Sequence, residues 1–180
     1  MKLLFRRIAS PLGAMLLITD GLQRVHALDF EDHRARQRRL LTERLGRYEL
    51  VDATGTSEVQ DRLTRYFDGE LTALDDIEVD THGNDLQREV WNALRSIPAG
   101  TVLTYGELSR QLGYTDPRMA KDIGAAIGAN PVAVIVPCHR VIGADGELKG
   151  YAWGLHRKER LLAHEGAVVR GPTSQARLAL

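Results

Sequence analysis

One short segment of this 180-residue chain combines residue types capable of nucleophilic chemistry. The only cysteine, Cys138, follows an apolar run and is followed directly by His139 and Arg140. A lone cysteine is most often an inert core residue. A free thiol with a pKa of about 8.5 is mostly protonated at neutral pH, so a reactive cysteine needs a nearby base or cation. The segment therefore predicts either a buried structural cysteine or a nucleophile with a candidate base beside it.

The apolar run before the cysteine covers residues 132–136, is rich in β-branched side chains and ends at Pro137. This composition predicts a buried extended segment with the thiol at its exit. Successive side chains of an extended chain point in opposite directions. His139 can therefore act on Cys138 only across a turn or through a bridging water.

Two short helices are expected ahead of this segment. Thr104 and Glu107 have the spacing of a capping box and predict a helix that runs to Leu112 and ends at Gly113. Pro117 suits the first turn of a second helix that extends to about Ala129. Helices joined by a tight glycine-containing turn form a candidate helix-turn-helix, although most such pairs are purely structural.

The second of these helices is unusually rich in small residues. A glycine costs about 1 kcal/mol relative to alanine inside a helix, so a close approach by another group is the expected compensation. That group is either a neighbouring helix or nucleic acid. Nucleic acid is a candidate because a helix about 10–12 Å across enters a minor groove about 6 Å wide only if its side chains are small. The small residues are Gly124, Ala125, Ala126, Gly128 and Ala129.

The remaining elements predict a mixed α/β (α+β) fold. Three short strands joined by turns are expected between residues 2 and 30, followed by helices at 31–46 and 58–67. A further helix is expected at 85–97, ended by Pro98. We divide the chain into an N-terminal α/β domain at 1–82, a mainly helical domain at 83–168 that carries the helix-turn-helix and the cysteine, and a flexible tail at 169–180.

Composition limits the function classes. Twenty-four basic and 24 acidic residues give a net charge of zero, so any nucleic-acid binding must come from a local surface. Residues 1–80 carry a net charge of −3 and residues 81–180 one of +3, which favours the second half as the binding half. One cysteine excludes an intrachain disulfide and a multi-cysteine zinc site. We expect a cytoplasmic protein with no metal, cofactor or membrane partner.

The second half resembles the O6-alkylguanine-DNA alkyltransferases. The similarity is close over residues 85–166 and extends loosely to 10–13 and 66–69. The Pro-Cys-His-Arg-Val string that begins at Pro137 is highly specific. The other matching motifs are Gln87-Arg88-Glu89-Val90-Trp91, Ile97-Pro98-Ala99-Gly100, Thr104-Tyr105-Gly106-Glu107, Asn130-Pro131, Gly150-Tyr151 and Leu161-Leu162-Ala163-His164-Glu165-Gly166.

This resemblance implies a suicidal repair reaction on O6-alkylguanine, with O4-alkylthymine as a further substrate. Cys138 matches the acceptor, which keeps the alkyl group as a stable thioether, so each molecule acts once. His139 matches a base that works through a bound water, and Glu165 matches the carboxylate that orients the imidazole. Asn130 matches the residue that holds the active-site turn.

The same resemblance implies a monomer that binds double-stranded DNA through the minor groove and rotates the damaged guanine into a pocket. Tyr105 matches the hydroxyl that contacts the flipped base. Lys121 stands where the family usually has an intercalating arginine, and Arg118 is a candidate substitute for it. Trp153 replaces a small residue of many relatives and predicts a bulkier pocket. The remaining residues of the predicted DNA- and base-binding set are Ala125, Ala126, Gly128, Ala129, Arg140 and Tyr151.

Three other readings remain open. A non-enzymatic module would bind alkylated DNA without reaction, and Cys138 argues against it. A helix-turn-helix regulator would use the cysteine as a methyl sensor, yet no separate sensor domain is evident. A Cys-His hydrolase would turn over repeatedly, and the cysteine and histidine alone do not exclude it.

Overall fold

The N-terminal half is built on a four-stranded sheet. The computed structural model describes residues 1–116 and 118–168. The strands of this sheet are β1 (Lys2–Ile8), β2 (Met15–Thr19), β3 (Val25–Phe30) and β4 (Glu49–Asp52). The strand order is β3-β2-β1-β4, with β4 parallel to β1 and the other pairs antiparallel. The predicted three-stranded meander is confirmed, while β4 was not predicted. Every residue of β2 and β3 is buried, so both faces of this part of the sheet are covered.

Two helices accompany the sheet, as predicted. Helix α1 (Arg34–Leu45) follows a short 3-10 turn and packs against β3. Helix α2 (Glu58–Phe67) begins at Ser57, whose side chain accepts a hydrogen bond from the Gln60 amide. A groove of about 720 Å³ remains between α1 and the sheet, with Tyr48 in its lining.

The C-terminal half is mainly helical. It contains α3 (Asp85–Arg95), α4 (Tyr105–Gln111), α5 (Met119–Gly128) and α6 (Leu155–His164), with the short parallel strands β5 (Leu103–Thr104) and β6 (Val141–Ile142). The capping box is confirmed, because the Thr104 hydroxyl accepts from the Glu107 amide and the Glu107 carboxylate accepts from the Thr104 amide. Helix α5 begins at Met119, two residues later than predicted; Pro117 itself lies outside the described residues.

The prediction of an extended segment at 132–136 was wrong. These residues form consecutive turns, with Val134 at a positive φ of 67°, and only Val132 makes an isolated bridge, to Leu28. The cause lies in Asn130, whose side-chain oxygen accepts from the Val132 amide and whose side-chain nitrogen donates to the Val136 carbonyl. A side chain that bonds its own backbone in this way competes with a strand ladder.

The main apolar core draws residues from both halves of the chain, including Phe30 and Tyr66 from the first and Trp91, Val136 and Leu161 from the second. Over residues 1–116 and 118–168, none of the helices is long and apolar enough to cross a membrane. The predicted flexible tail, residues 169–180, lies outside the described residues.

Candidate active site

The thiol of Cys138 lies at the start of a 3-10 turn formed by Cys138–Arg140, directly after the turns at 132–136. The residue is only 4% exposed. Asn130 donates a hydrogen bond from Nδ2 to Sγ of Cys138 at 3.2 Å, and the same nitrogen donates to the Val136 carbonyl at 2.8 Å. Asn130 therefore bonds both the sulfur of Cys138 and the backbone of the turn before it.

Glu165, at the end of α6, binds the two residues that follow the cysteine. Its Oε1 accepts from His139 Nε2 at 2.8 Å and from Arg140 Nη2 at 2.8 Å, and its Oε2 accepts from Arg140 Nε at 2.9 Å. The Tyr66 hydroxyl donates to Oε1 at 2.7 Å, and the Gly100 amide donates to Oε2 at 3.3 Å. The carboxylate is thus enclosed by donors.

These contacts determine which nitrogen of His139 can act as a base. Burial opposes ionisation of Glu165, but the hydrogen bonds from His139 and Arg140 outweigh it and hold the pKa of the carboxyl well below its usual range. A carboxylate accepts only, so Nε2 of His139 must carry the hydrogen. The buried Nδ1 has no hydrogen-bond partner among the described residues and keeps its lone pair. Burial also lowers the pKa of the imidazole, which favours this neutral form.

The environment of Cys138 keeps its thiol protonated. Burial raises the pKa of Cys138, and the hydrogen bond from Asn130 offsets only part of that effect. The protein group bonded to Sγ is Asn130 rather than His139. A nucleophilic role for this thiol therefore requires a base to remove its proton. The candidate base is Nδ1 of His139, which has no hydrogen-bond partner among the described residues.

Two side chains tie the segment after β6 to the helices around it. The buried Lys158 of α6 donates from Nζ to the carbonyls of Val141, at 2.6 Å, and Lys149, at 2.8 Å. The Tyr105 hydroxyl of α4 donates to the same Lys149 carbonyl at 3.2 Å. Burial lowers the pKa of Lys158 to about 8. Sequence reasoning missed Lys158, because nothing in its helical pattern distinguishes it from a surface lysine.

Trp153 lies deeper than the sequence suggested. Its side chain is fully buried, its ring meets that of Tyr151 edge-on at 5.1 Å, and its Nε1 donates to Asp29 Oδ1 at 2.6 Å. Trp153 is therefore packed inside the protein against Tyr151, and its effect on the size of the base pocket stays a prediction. Burial raises the pKa of Asp29 to about 6 despite the neighbouring cation of Arg36.

Arg36, on α1 of the N-terminal half, joins several of these parts. Its guanidinium bonds Asp29 at 3.0 Å and lies 4.8 Å from the ring centre of Trp153. It also donates to the carbonyls of Gly128 at 2.8 Å and Asn130 at 2.9 Å, just past the end of α5. Sequence reasoning missed this residue as well.

Comparison with known proteins identifies both halves. Residues 3–81 match the ribonuclease-like domain of 6-O-methylguanine DNA methyltransferase, and residues 85–167 match the DNA binding domain of the same family. The chain belongs to the 6-O-methylguanine DNA methyltransferase family.

Individual relatives agree with this assignment. The chain is 48% identical over 168 residues to a methylated-DNA–protein-cysteine methyltransferase of Salmonella typhimurium, covering 92% of this chain and 97% of the relative. A Mycobacterium bovis protein of the same name is 41% identical over 161 residues, covering 89% and 91%. The crystal structure of Mycobacterium tuberculosis OGT in complex with DNA superposes with a TM-score of 0.75 at 39% identity, covering 91% and 92%.

The predicted DNA-facing residues of this methyltransferase-family chain divide into two groups. Those on the outer side of α5 and at its ends are exposed or partly exposed: Arg118, Lys121, Ala125, Gly128 and Ala129. Tyr105, at the start of α4, is also partly exposed. Ala126, by contrast, is buried, and its carbonyl accepts a hydrogen bond from Trp91 Nε1 at 2.9 Å. The small residues of α5 therefore serve close packing on one side and leave an open surface on the other.

Arg140 also departs from its predicted place in the DNA-binding set. It is 6% exposed, forms the buried ion pair with Glu165 and donates to the Ile97 carbonyl. The guanidinium therefore supports the carboxylate rather than a DNA phosphate. Arg118, the candidate substitute for an intercalating arginine, is exposed and paired with Asp116 at 3.2 Å.

Within residues 1–116 and 118–168, one group of side chains outside the candidate active site has ligand atoms close enough together to hold a metal ion. His26, Asp80 and His82 place their ligand atoms within 4.8 Å of one another. It includes none of the residues that bond Cys138 or Glu165.

Proposed function

We propose that this protein repairs DNA by transferring an alkyl group from O6 of guanine to Cys138. The observation that carries the proposal is the pairing of two contacts in a chain of this family. Asn130 donates to the sulfur, and Glu165 accepts from Nε2 of the adjacent His139, which leaves Nδ1 of that ring without a partner among the described residues. Together they supply a nucleophile, a base and the group that orients the base.

The reaction begins with proton removal. His139 Nδ1 takes the Cys138 proton through one water molecule, and Glu165 stabilises the resulting imidazolium. The thiolate then attacks the alkyl carbon, so that the S–C bond forms as the C–O6 bond breaks. The proton taken up by His139 then passes through water to the guanine anion, so neutral guanine remains in the DNA and His139 returns to its neutral form. A thioether is not hydrolysed under these conditions, so the protein is consumed in one turnover.

The alkylated oxygen is inaccessible inside a duplex, so the nucleotide must rotate out of the stack at a cost of a few kcal/mol. We propose that the exposed surface of α5 around Ala125 and Gly128 enters the minor groove, where a degenerate pattern of base edges suits repair that ignores sequence. Tyr105 contacts the flipped base, and Lys121 lies beside the space it leaves. The protein acts as a cytoplasmic monomer on double-stranded DNA.

The test is the intact mass of the protein after incubation with an oligonucleotide carrying one O6-methylguanine. We expect a gain of one methyl group, mapped to Cys138, and no more than one methyl removed per protein molecule with substrate in excess. Cys138→Ser should gain no methyl and keep most of its affinity for the same oligonucleotide.

Each alternative gives a different result. Retention of the modified DNA with no change in mass would indicate a binding module, and sustained turnover would indicate a true catalyst such as a hydrolase. Loss of methylguanine in the presence of Cys138→Ser would show that the assigned acceptor is wrong.

A further inference from the structure

The catalytic carboxylate receives a hydrogen bond from the N-terminal half of the chain. Tyr66, near the end of α2, is fully buried, and its hydroxyl donates to Glu165 Oε1 at 2.7 Å. That oxygen is the one that also accepts from His139 Nε2. The phenol and the imidazole therefore share a single acceptor atom.

Tyr66 is held in place by contacts that do not involve its hydroxyl. Its carbonyl is 2.8 Å from His164 Nε2, and the two rings meet edge-on with centroids 5.0 Å apart. Phe67 packs edge-on against the same ring at 5.2 Å. Removing the hydroxyl alone should therefore leave the ring where it is.

The hydroxyl is a donor throughout the working pH range. Burial, together with the negative charge of Glu165, raises the pKa of Tyr66 well above its usual value. The carboxylate beside it remains ionised, so the proton of this hydrogen bond stays on the tyrosine oxygen. This hydrogen bond draws part of the carboxylate's negative charge toward Tyr66 and away from His139.

We infer that Tyr66 is a positioning residue for the transfer reaction: by occupying Glu165 Oε1, it limits how strongly the carboxylate stabilises the protonated form of His139. The inference rests on the function proposed above. It gives the N-terminal half a specific part in the chemistry, because α2 supplies a group bonded to the residue that orients the base.

Other charged or titratable groups also act on Glu165 and His139. Arg140 bonds both carboxylate oxygens, and Lys158 of α6 acts on His139 at longer range. Tyr151 meets the His139 ring edge-on at 6.5 Å, and His164 packs on Tyr66. A change confined to the Tyr66 hydroxyl leaves all of these in place.

The experiment is the pH dependence of single-turnover methyl transfer by the full chain, using Tyr66→Phe. Without the hydroxyl, more of the carboxylate's charge faces the imidazole, so the imidazolium is favoured and neutral His139 is reached only at higher pH. We expect the midpoint of the acid limb to move up by about half a unit, which is a roughly threefold lower rate at a pH on that limb. The rate on the plateau should rise, by no more than about threefold, because neutral His139 is then a slightly stronger base.

Two comparisons separate this effect from a structural one. Tyr48→Phe removes a hydroxyl from the groove between α1 and the sheet, and it should leave the midpoint unmoved. In Glu165→Gln, where no carboxylate charge remains, adding Tyr66→Phe should produce no further shift. A Tyr66→Phe profile with the wild-type midpoint, whether its rates are equal or uniformly lower, would overturn the inference. Failure of the wild type itself to take up methyl would instead reject the proposed function.

Discussion

Replacing Glu165 by glutamine should cost both rate and stability. The side chain is 5% exposed and is bonded by His139, Arg140 and Tyr66. Glutamine keeps the shape but removes the charge, so the buried guanidinium of Arg140 loses its anion. Removing one partner of a buried ion pair costs about 3–5 kcal/mol. The amide oxygen of glutamine still accepts from one donor, so we expect a loss of about 3 kcal/mol in the free energy of unfolding.

The rate should fall because the imidazolium of His139 loses the charge that stabilises it. General acid-base contributions are typically 10²–10⁴-fold, and we expect about 10²–10³-fold because Cys138 and Asn130 remain in place. The rate is measured as single-turnover methyl uptake by intact mass, and stability as urea unfolding followed by tryptophan fluorescence.

The stability loss should also depend on pH. The folded-state pKa of Glu165 lies below the ordinary value of 4.5. The carboxylate's contribution is therefore fully present above about pH 4.5 and is lost as pH falls toward the folded-state pKa. The difference between wild type and Glu165→Gln should be constant near neutral pH and shrink below pH 4.5.

A matched control comes from Glu43, an exposed partner of Arg39 at 2.9 Å on α1. Glu43→Gln should change the free energy of unfolding by less than about 0.5 kcal/mol, since exposed pairs contribute little. If Glu165→Gln unfolds at the same urea concentration as the wild type and transfers methyl at the same rate, the buried network has no role in either property.

Two further predictions concern DNA and the spent protein. Lys121 lacks the planar surface of an arginine, so Lys121→Arg should raise the ratio of the transfer rate on duplex DNA to that on single-stranded DNA. Lys121→Ala should lower the same ratio. If single-turnover assays give the same ratio for all three proteins, Lys121 is only a phosphate contact. A methyl group added to the 4% exposed sulfur of Cys138 overpacks its site by about 1–3 kcal/mol. Calorimetry should then show a Tm about 2–10 °C lower after reaction, whereas an unchanged Tm would mean that the site has spare room.

Local sequence rules predicted most of the elements of this fold. The strands between residues 2 and 30 and the capping box at Thr104 rest on interactions between near neighbours, and the structure contains them. Strand β4 was missed because its four residues, mostly exposed, carry no alternating pattern; it forms by pairing with β1, a segment more than 40 residues away.

The error at 132–136 has a local cause that propensity does not include. β-Branched residues favour a strand, but the Asn130 side chain supplies hydrogen bonds that bend the chain instead. The orientation of Arg140 was unpredictable for a different reason. A residue's place beside a reactive cysteine does not show whether its side chain faces DNA or a buried carboxylate that lies 25 residues further along the chain.

The candidate site itself came mainly from family resemblance rather than from physical pattern. Cys138 and His139 are adjacent in sequence, but their connection to Glu165 depends on how α6 packs. Tyr66, Arg36 and Lys158 were missed because each is a polar residue whose partners lie elsewhere in the chain, up to 99 residues away for Tyr66 and Glu165. The loosely matching stretch at 66–69 was the available signal for Tyr66.

The bonds of Arg36 have a consequence for how the duplex must behave. Its guanidinium donates to the carbonyl of Gly128, the last residue of α5, and to that of Asn130, and it lies over the ring of Trp153. Helix α5, the proposed DNA-binding helix, and Asn130, which bonds the thiol, are thus held by the same side chain, which opposes their moving apart. The distance from the exposed surface of α5 to the sulfur of Cys138 is then set by the protein, so the nucleic acid must bend and unstack to bring the damaged base to the thiol. Although the proposed groove contacts do not select particular bases, damaged sites in easily deformed sequences should accordingly be repaired first.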